Sequence, residues 1–167
     1  DIEFINKNLP IESIYERSIY LVHKPGPQST ILVGMPGPKF DVDGEFFKSN
    51  VMNYSLGGSF NSRINLNLRE DKGYTYGTQS GFMANEYDGS FYLQTSVDVE
   101  VTDSALTEII NEFSNFNKNG ITQEELIYTR KSIANSDALK YETPRQKAQF
   151  LSRIQRYNLD RNYTKVQ

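Results

Sequence analysis

The chain has no cysteine, no tryptophan and a single histidine, His23. Without cysteine there is no disulfide framework, no thiol nucleophile and no thiolate-held zinc or iron–sulfur centre. With one histidine, neither His-Glu-x-x-His nor His-x-x-Glu-His can be present. Carboxylates gathered around His23 would be a poor ligand set for zinc, and no Gly-x-Ser-x-Gly elbow offers a serine nucleophile. His23 is therefore read without a catalytic or metal role. No apolar run approaches the ~18 residues a membrane-spanning helix needs, and no charged-then-apolar signal segment opens the chain. Excess positive charge is missing too: 18 Lys and Arg against 21 Asp and Glu give a net charge of −3. That balance offers nucleic acid no electrostatic footprint.

What is present suits a folded domain. The 167 residues are 37% hydrophobic and 13% aromatic, enough for one domain with a core of its own. The chain opens at Asp1-Ile2-Glu3 and closes within a helical pattern at Lys165-Val166-Gln167, so it reads as a piece of something longer. Residues 1–16, interrupted by Pro10, read as an irregular entry segment.

Periodicity gives the element order. Ser18–His23 and Ser29–Met35 have strand composition and flank Pro25-Gly26-Pro27, which predicts an antiparallel pair. Asp43 is placed to cap a helix over about 44–56, and Gly57-Gly58 to break it. A second helix is predicted from Ser59 to about Asp71, ended by Gly73. Strands follow near Tyr74–Phe82 and Ser90–Val97, joined by the turn Asn85–Gly89. Thr102 is placed to cap an amphipathic helix with Ala105, Leu106, Ile109, Ile110, Phe113 and Phe116 on one face. Capping boxes at Thr122–Glu125 and Thr143–Gln146 open two more helices, near 123–141 and up to about Tyr157. Asp160 caps a last one. Strand pairs set between helices predict an α+β fold: a mainly antiparallel sheet with helices packed on one face.

The densest chemistry lies between Leu56 and Gly77. It combines a glycine pair, a short amphipathic helix ending in Arg69-Glu70-Asp71-Lys72, Gly73, and a strand start carrying Tyr76. A guanidinium at such a corner presents forked donors to a carbonyl or carboxylate. A phenol there can donate to a developing oxyanion. On chemistry alone, Arg69-Glu70 also fits a solvated helix end, Tyr76 an ordinary strand aromatic and Gly57-Gly58 a helix stop. Arg63 reads as structural, and Glu70 and Lys72 as surface ion pairs of small weight. Glu124-Glu125 favours a helix N-terminus rather than forming an acid–base pair.

The run Gly-Gly-Ser-Phe-x-Ser-Arg-x-x-x-x-Leu-Arg-Glu-x-x-Gly-x-x-Tyr across Gly57–Tyr76 resembles the second-half signature of the pitrilysin-type zinc peptidases. That family includes insulysin and the mitochondrial processing peptidase. Ser18–Gly26 with Gln28-Ser29 is similar to the family's first hairpin in that half, and Ile121–Leu126 to its recurrent Thr-x-Glu-Glu-Leu helix start.

The resemblance implies a clamshell of two homologous α+β halves. One half carries His-x-x-Glu-His and zinc; the other is metal-free and closes the chamber. This chain matches the metal-free half, as a single domain over 1–167 that stops before the family's closing helix and strand. By that likeness Arg69 anchors the substrate backbone, Tyr76 holds a substrate carbonyl or its oxyanion, and Gly57 and Gly58 begin a loop that guides substrate. The chain binds no cofactor itself, and zinc is expected in the partner half. Expected partners are that zinc-bearing half, on the same polypeptide or another subunit, and a peptide or unfolded protein. Expected activity is hydrolysis as part of a metallopeptidase, with no activity in isolation. Family habit places such proteins in the cell envelope. The alternative is a non-proteolytic scaffold or interaction module of the same fold.

Overall fold

The computed structural model describes residues 16–139 and 141–165. Apart from Glu16, the expected entry segment lies outside them. One three-stranded antiparallel sheet forms from β1 (Gln28–Gly37), β2 (Thr78–Ala84) and β3 (Gly89–Asp98), in the order β1-β3-β2. The helices are α1 (Glu45–Asn53), the short α2 (Arg63–Asn65), α3 (Thr102–Asn119), α4 (Gln123–Leu139) and α5 (Pro144–Tyr157). The result is the α+β architecture the sequence predicts.

The core forms where alternate strand residues meet the helices. Ile31 of β1 and Phe91, Leu93 and Val97 of β3 are buried on one face, against Ala105, Ile109 and Phe116 of α3. The three α3 positions recur at near-helical spacing, which puts them on one stripe. Ile64 and Leu68, four residues apart and fully buried, bring the 57–77 corner into the same core. Phe91 packs edge-on to Phe113 at 5.9 Å and tilted to Phe82 at 5.1 Å.

Several local expectations need correction. Residues 16–25 form no strand and pair with nothing in the sheet; β1 pairs only with β3, and Ile19–Val22 stand exposed. Asp41, not Asp43, holds the start of α1, accepting the amides of Gly44 (2.8 Å), Phe46 (3.0 Å) and Phe47 (3.2 Å). Burial alone would raise its pKa, but these backbone donors outweigh it and hold it below the usual carboxylate value. The helix does stop at the glycine pair, but two residues later than expected: a π-helical turn continues α1 through Tyr54–Gly58, and Ser59 is extended. The second helix is an α-helical turn at 63–65 widening into a π-helical one over Leu66–Asp71. Thr102 is the first residue of α3 rather than its cap, its hydroxyl lying 2.8 Å from Val99 O. Past α5, among the described residues, Asp160 precedes a 3-10 turn at Tyr163–Lys165.

Both predicted capping boxes form. Thr143 accepts from Gln146 N while Gln146 Oε1 accepts from Thr143 N. Thr122 and Glu125 exchange the same bonds. Gly120 closes α3 at φ 66°, a conformation costly for any residue with a side chain.

Candidate functional site

The corner from Leu56 to Gly77 is built by close packing at one end and a pinned turn at the other. Gly57 passes β2 so tightly that a methyl there would overlap the Ser80 hydroxyl. A methyl on Gly58 would lie 2.7 Å from Asn53 Nδ2. Gly57 thus marks a close approach of a helical turn to a strand, and Gly58 a close approach to the end of α1. Below the corner, Gly73 at φ 65° reverses the chain, with Tyr74 N donating to Leu68 O at 2.8 Å. Thr75 Oγ1 then lies 2.8 Å from Ser96 O and accepts from Gly77 N at 3.1 Å. Thr95 Oγ1 is 3.0 Å from Thr75 Oγ1. These bonds fix 75–77 as a turn, so β2 begins at Thr78 rather than Tyr74.

That turn projects Tyr76 into solvent, with 95% of its surface exposed. It stands at a cleft of about 550 Å³ whose lining includes Gly57, Gly58, Phe60, Tyr76, Gln79 and Gln94. Three of the four expected site residues therefore share one cleft. Arg69 does not line it. Its guanidinium stacks 3.5 Å from the ring centroid of Phe60, which does, and Nη2 pairs with Glu70. Arg69 Nε is buried with no partner among the described residues. The site can thus present an exposed phenol donor in the open, and a guanidinium one aromatic ring away.

The neighbouring Arg63 has a different setting. Its Nε and Nη2 donate to the two Glu125 oxygens at 2.5 and 2.6 Å, Nη2 also reaches Gly120 O at 2.8 Å, and the guanidinium lies over Phe116. The forked bond to Arg63 is the main cause that lowers Glu125 to about 2, against the opposing effect of burial; the Thr122 amide adds to it. The same bond raises Arg63. This pair ties the corner to α4. Asn67 ties it to α3, donating to Glu108 at 3.0 Å and Glu112 at 2.8 Å.

Two organising residues have no counterpart in the sequence reading. Asn65 donates to Thr78 O at 2.6 Å and accepts from Thr78 N at 2.7 Å, imitating a neighbouring strand. Asn53 donates to Ser80 O at 3.0 Å and accepts from the Ser80 hydroxyl at 2.6 Å. Both carboxamides are buried and cover the outer edge of β2 where it meets the cleft. The available signal was an asparagine on each apolar helical face, where a hydrocarbon would be expected. Among the described residues, no three or more His, Asp or Glu side chains gather as a metal ion would need. No described helix is long and apolar enough to cross a membrane.

Fold and site together define an α+β half-domain with a neutral cleft at a glycine-rich corner. The chain belongs to the peptidase M16 inactive-domain family, whose model matches residues 1–133. It is 31% identical over 135 residues to the non-peptidase homolog YmxG of Helicobacter pylori, covering 79% of this chain and 31% of that protein. Its fold is similar to the peptidase M16 inactive domain from Pseudomonas fluorescens, with TM-score 0.74, 27% identity, and coverage of 85% of this chain and 34% of that one. The periplasmic protease PqqL of Escherichia coli shares the fold at TM-score 0.57 and 15% identity, over 81% of this chain and 15% of PqqL. The chain thus spans about a third of the length of the first two relatives.

Proposed function

We propose that this chain is the substrate-binding, chamber-closing half of a zinc endopeptidase, inactive alone and complementing a His-x-x-Glu-His half. Residues 1–167 act as one domain in this reading, in cis or in trans to the zinc half. The observation that carries it is Tyr76: a phenol almost wholly exposed at a cleft, on a turn pinned by Thr75 and Thr95. No packing role accounts for that placement. Zinc in the partner half would polarise the scissile carbonyl and activate water. Tyr76 would donate its phenol proton in a hydrogen bond to the oxyanion as charge develops there. Arg69, on swinging off Glu70, would hold a backbone carbonyl of the bound peptide through its forked donors. Gly57 and Gly58 would help guide that backbone as part of the cleft lining. An exported, cell-envelope setting belongs to the same proposal, and cell fractionation with a tag on the full-length protein tests it.

The decisive measurement is cleavage of a quenched fluorogenic peptide by this chain together with its zinc-bearing half. Tyr76→Phe is expected to lower kcat by roughly tenfold or more with little change in KM, the signature of an interaction made in the transition state. An unchanged kcat would remove the oxyanion role. Arg69→Ala is expected to raise KM; an unchanged KM removes the anchoring role.

A second reading is favoured by one finding: the H. pylori relative is named a non-peptidase homolog. In that reading the same surface serves a non-proteolytic scaffold. Silence of the assembled pair toward every peptide, with the pair still associating, would establish it over the first.

A further inference from the structure

Charge is distributed unevenly between the two sides of this molecule. The strands read Gln-Ser-Thr-Ile-Leu-Val-Gly-Met-Pro-Gly, Thr-Gln-Ser-Gly-Phe-Met-Ala and Gly-Ser-Phe-Tyr-Leu-Gln-Thr-Ser-Val-Asp. Asp98, the final residue of β3, is the only charged one. Solvated strand faces ordinarily alternate apolar with charged or strongly polar residues. On the side of the sheet away from α3, Gln94 stands exposed between Leu32 of β1 and Gln79 of β2, its register partners. Leu32 is 70% exposed. The helical layer carries the charge instead: Glu108 and Lys118 on α3, Arg130 and Lys131 on α4, Arg145 and Arg153 on α5.

The cleft continues the same pattern. Gln79, Gln94 and Ser96 belong both to the open sheet face and to the cleft lining, so the two surfaces join. Glycines, hydroxyls, carboxamides and two aromatic rings make up that lining, with no Asp, Glu, Lys or Arg among them. Two of its hydroxyls, Ser59 Oγ and Thr78 Oγ1, have no hydrogen-bond partner among the described residues. The nearby cation, Arg69, lies outside that lining, paired with Glu70 and stacked on Phe60, and in the reading above its donors turn to a peptide carbonyl rather than to a charged side chain.

We infer that the open sheet face and the cleft form one track, uncharged up to Asp98 at the far end of β3, for an extended peptide segment of uncharged residues. It rests on the peptide-binding reading above and adds the class of peptide. Recognition runs through the peptide backbone, bonded by carboxamides and hydroxyls, and through aliphatic contact at Leu32. A charged side chain laid on this track loses water and meets no counter-charge, so it is disfavoured whatever its sign. Binding without ion pairs has little to lose to screening.

The test is fluorescence anisotropy with the full chain and labelled twelve-residue peptides rich in Gln, Ser, Thr and Leu. Companion peptides place two central Asp or two central Lys in the same frame. The neutral peptide is expected to bind with a Kd that moves less than about twofold between about 50 and about 500 mM NaCl. Both charged companions are expected to bind about tenfold or more weakly. Gln94→Lys, an exposed change, is expected to make binding salt-dependent and to favour the Asp peptide, while Gln94→Leu, which removes a carboxamide without adding charge, is expected to weaken the neutral peptide without making its binding salt-dependent. A wild-type preference for either charged peptide, or a steep salt dependence, overturns the charge-free track and leaves peptide binding standing. Failure of all three peptides to bind overturns the peptide-binding reading itself.

Discussion

Arg63 and Arg69 lie six residues apart on one helical corner, yet their surroundings are opposites. Arg63 has a bidentate carboxylate, a backbone carbonyl and an aromatic ring, all from elements distant in sequence. Among the described residues, Arg69 has its chain neighbour Glu70 and the exposed ring of Phe60, with one N–H left bare. The first setting commits Nε and Nη2 to holding the corner against α4 and the end of α3. The second keeps donors in reserve beside an open cleft. Buried, fully paired groups stabilise; groups held short of full pairing are available to a ligand. One short helix thus serves structure at its start and, in the proposed reading, binding at its end.

Four predictions would break or sharpen that contrast. Removing the core beneath both arginines should have the largest effect: Leu68→Ala is expected to destabilise by about 2–5 kcal/mol in denaturant unfolding. Arg63→Ala should come next, at about 2 kcal/mol, because it strands the Glu125 carboxylate and the Gly120 carbonyl. A loss near zero would mean the forked pair is no more than a surface contact. Third, acid should act through the same pair. Glu125 is depressed from an ordinary 4.5 to about 2 by Arg63, so the stability it contributes is present above pH ~4.5 and is lost as pH falls toward ~2. Arg63→Ala should flatten that part of the stability–pH curve; an unchanged curve would assign the acid response elsewhere. Smallest is Tyr76→Phe, expected to shift unfolding by no more than about 0.5 kcal/mol. A larger loss would show that the phenol supports the fold, against the contrast drawn here.

The sequence displayed some of this arrangement and hid the rest. Capping boxes at Thr122 and Thr143 were legible because each is a local pattern of four residues. β3 and the α3 stripe were legible because their burial follows their period, except at Ile110, which the stripe included and which stands 54% exposed at its edge. Ile19–Val22 read as a strand on composition, but strand formation depends on a neighbour to pair with, and β1 pairs elsewhere. Asp41 displaced Asp43 as the holder of α1 because Gly44 lets the loop fold back onto it. The cleft's glycines, Gly57 and Gly58, and Tyr76 were singled out through a motif; their common location followed from tertiary packing. Asn53 and Asn65 escaped notice because their partners lie 27 and 13 residues away.

Those two asparagines also act as a gauge on β2. Thr-Gln-Ser-Gly-Phe-Met-Ala has a weak alternation of apolar and polar residues, so burial alone would hold its alignment loosely. Asn65 meets Thr78 and Asn53 meets Ser80, two residues further on. Successive residues of a strand point their backbone groups to opposite sides. A slip of one residue would turn the matching N–H and C=O toward β3 and leave both carboxamides buried and unpaired. The frame in which Tyr76 and Gln79 arrive at the cleft is therefore measured from outside the sheet, by helical residues that never join it.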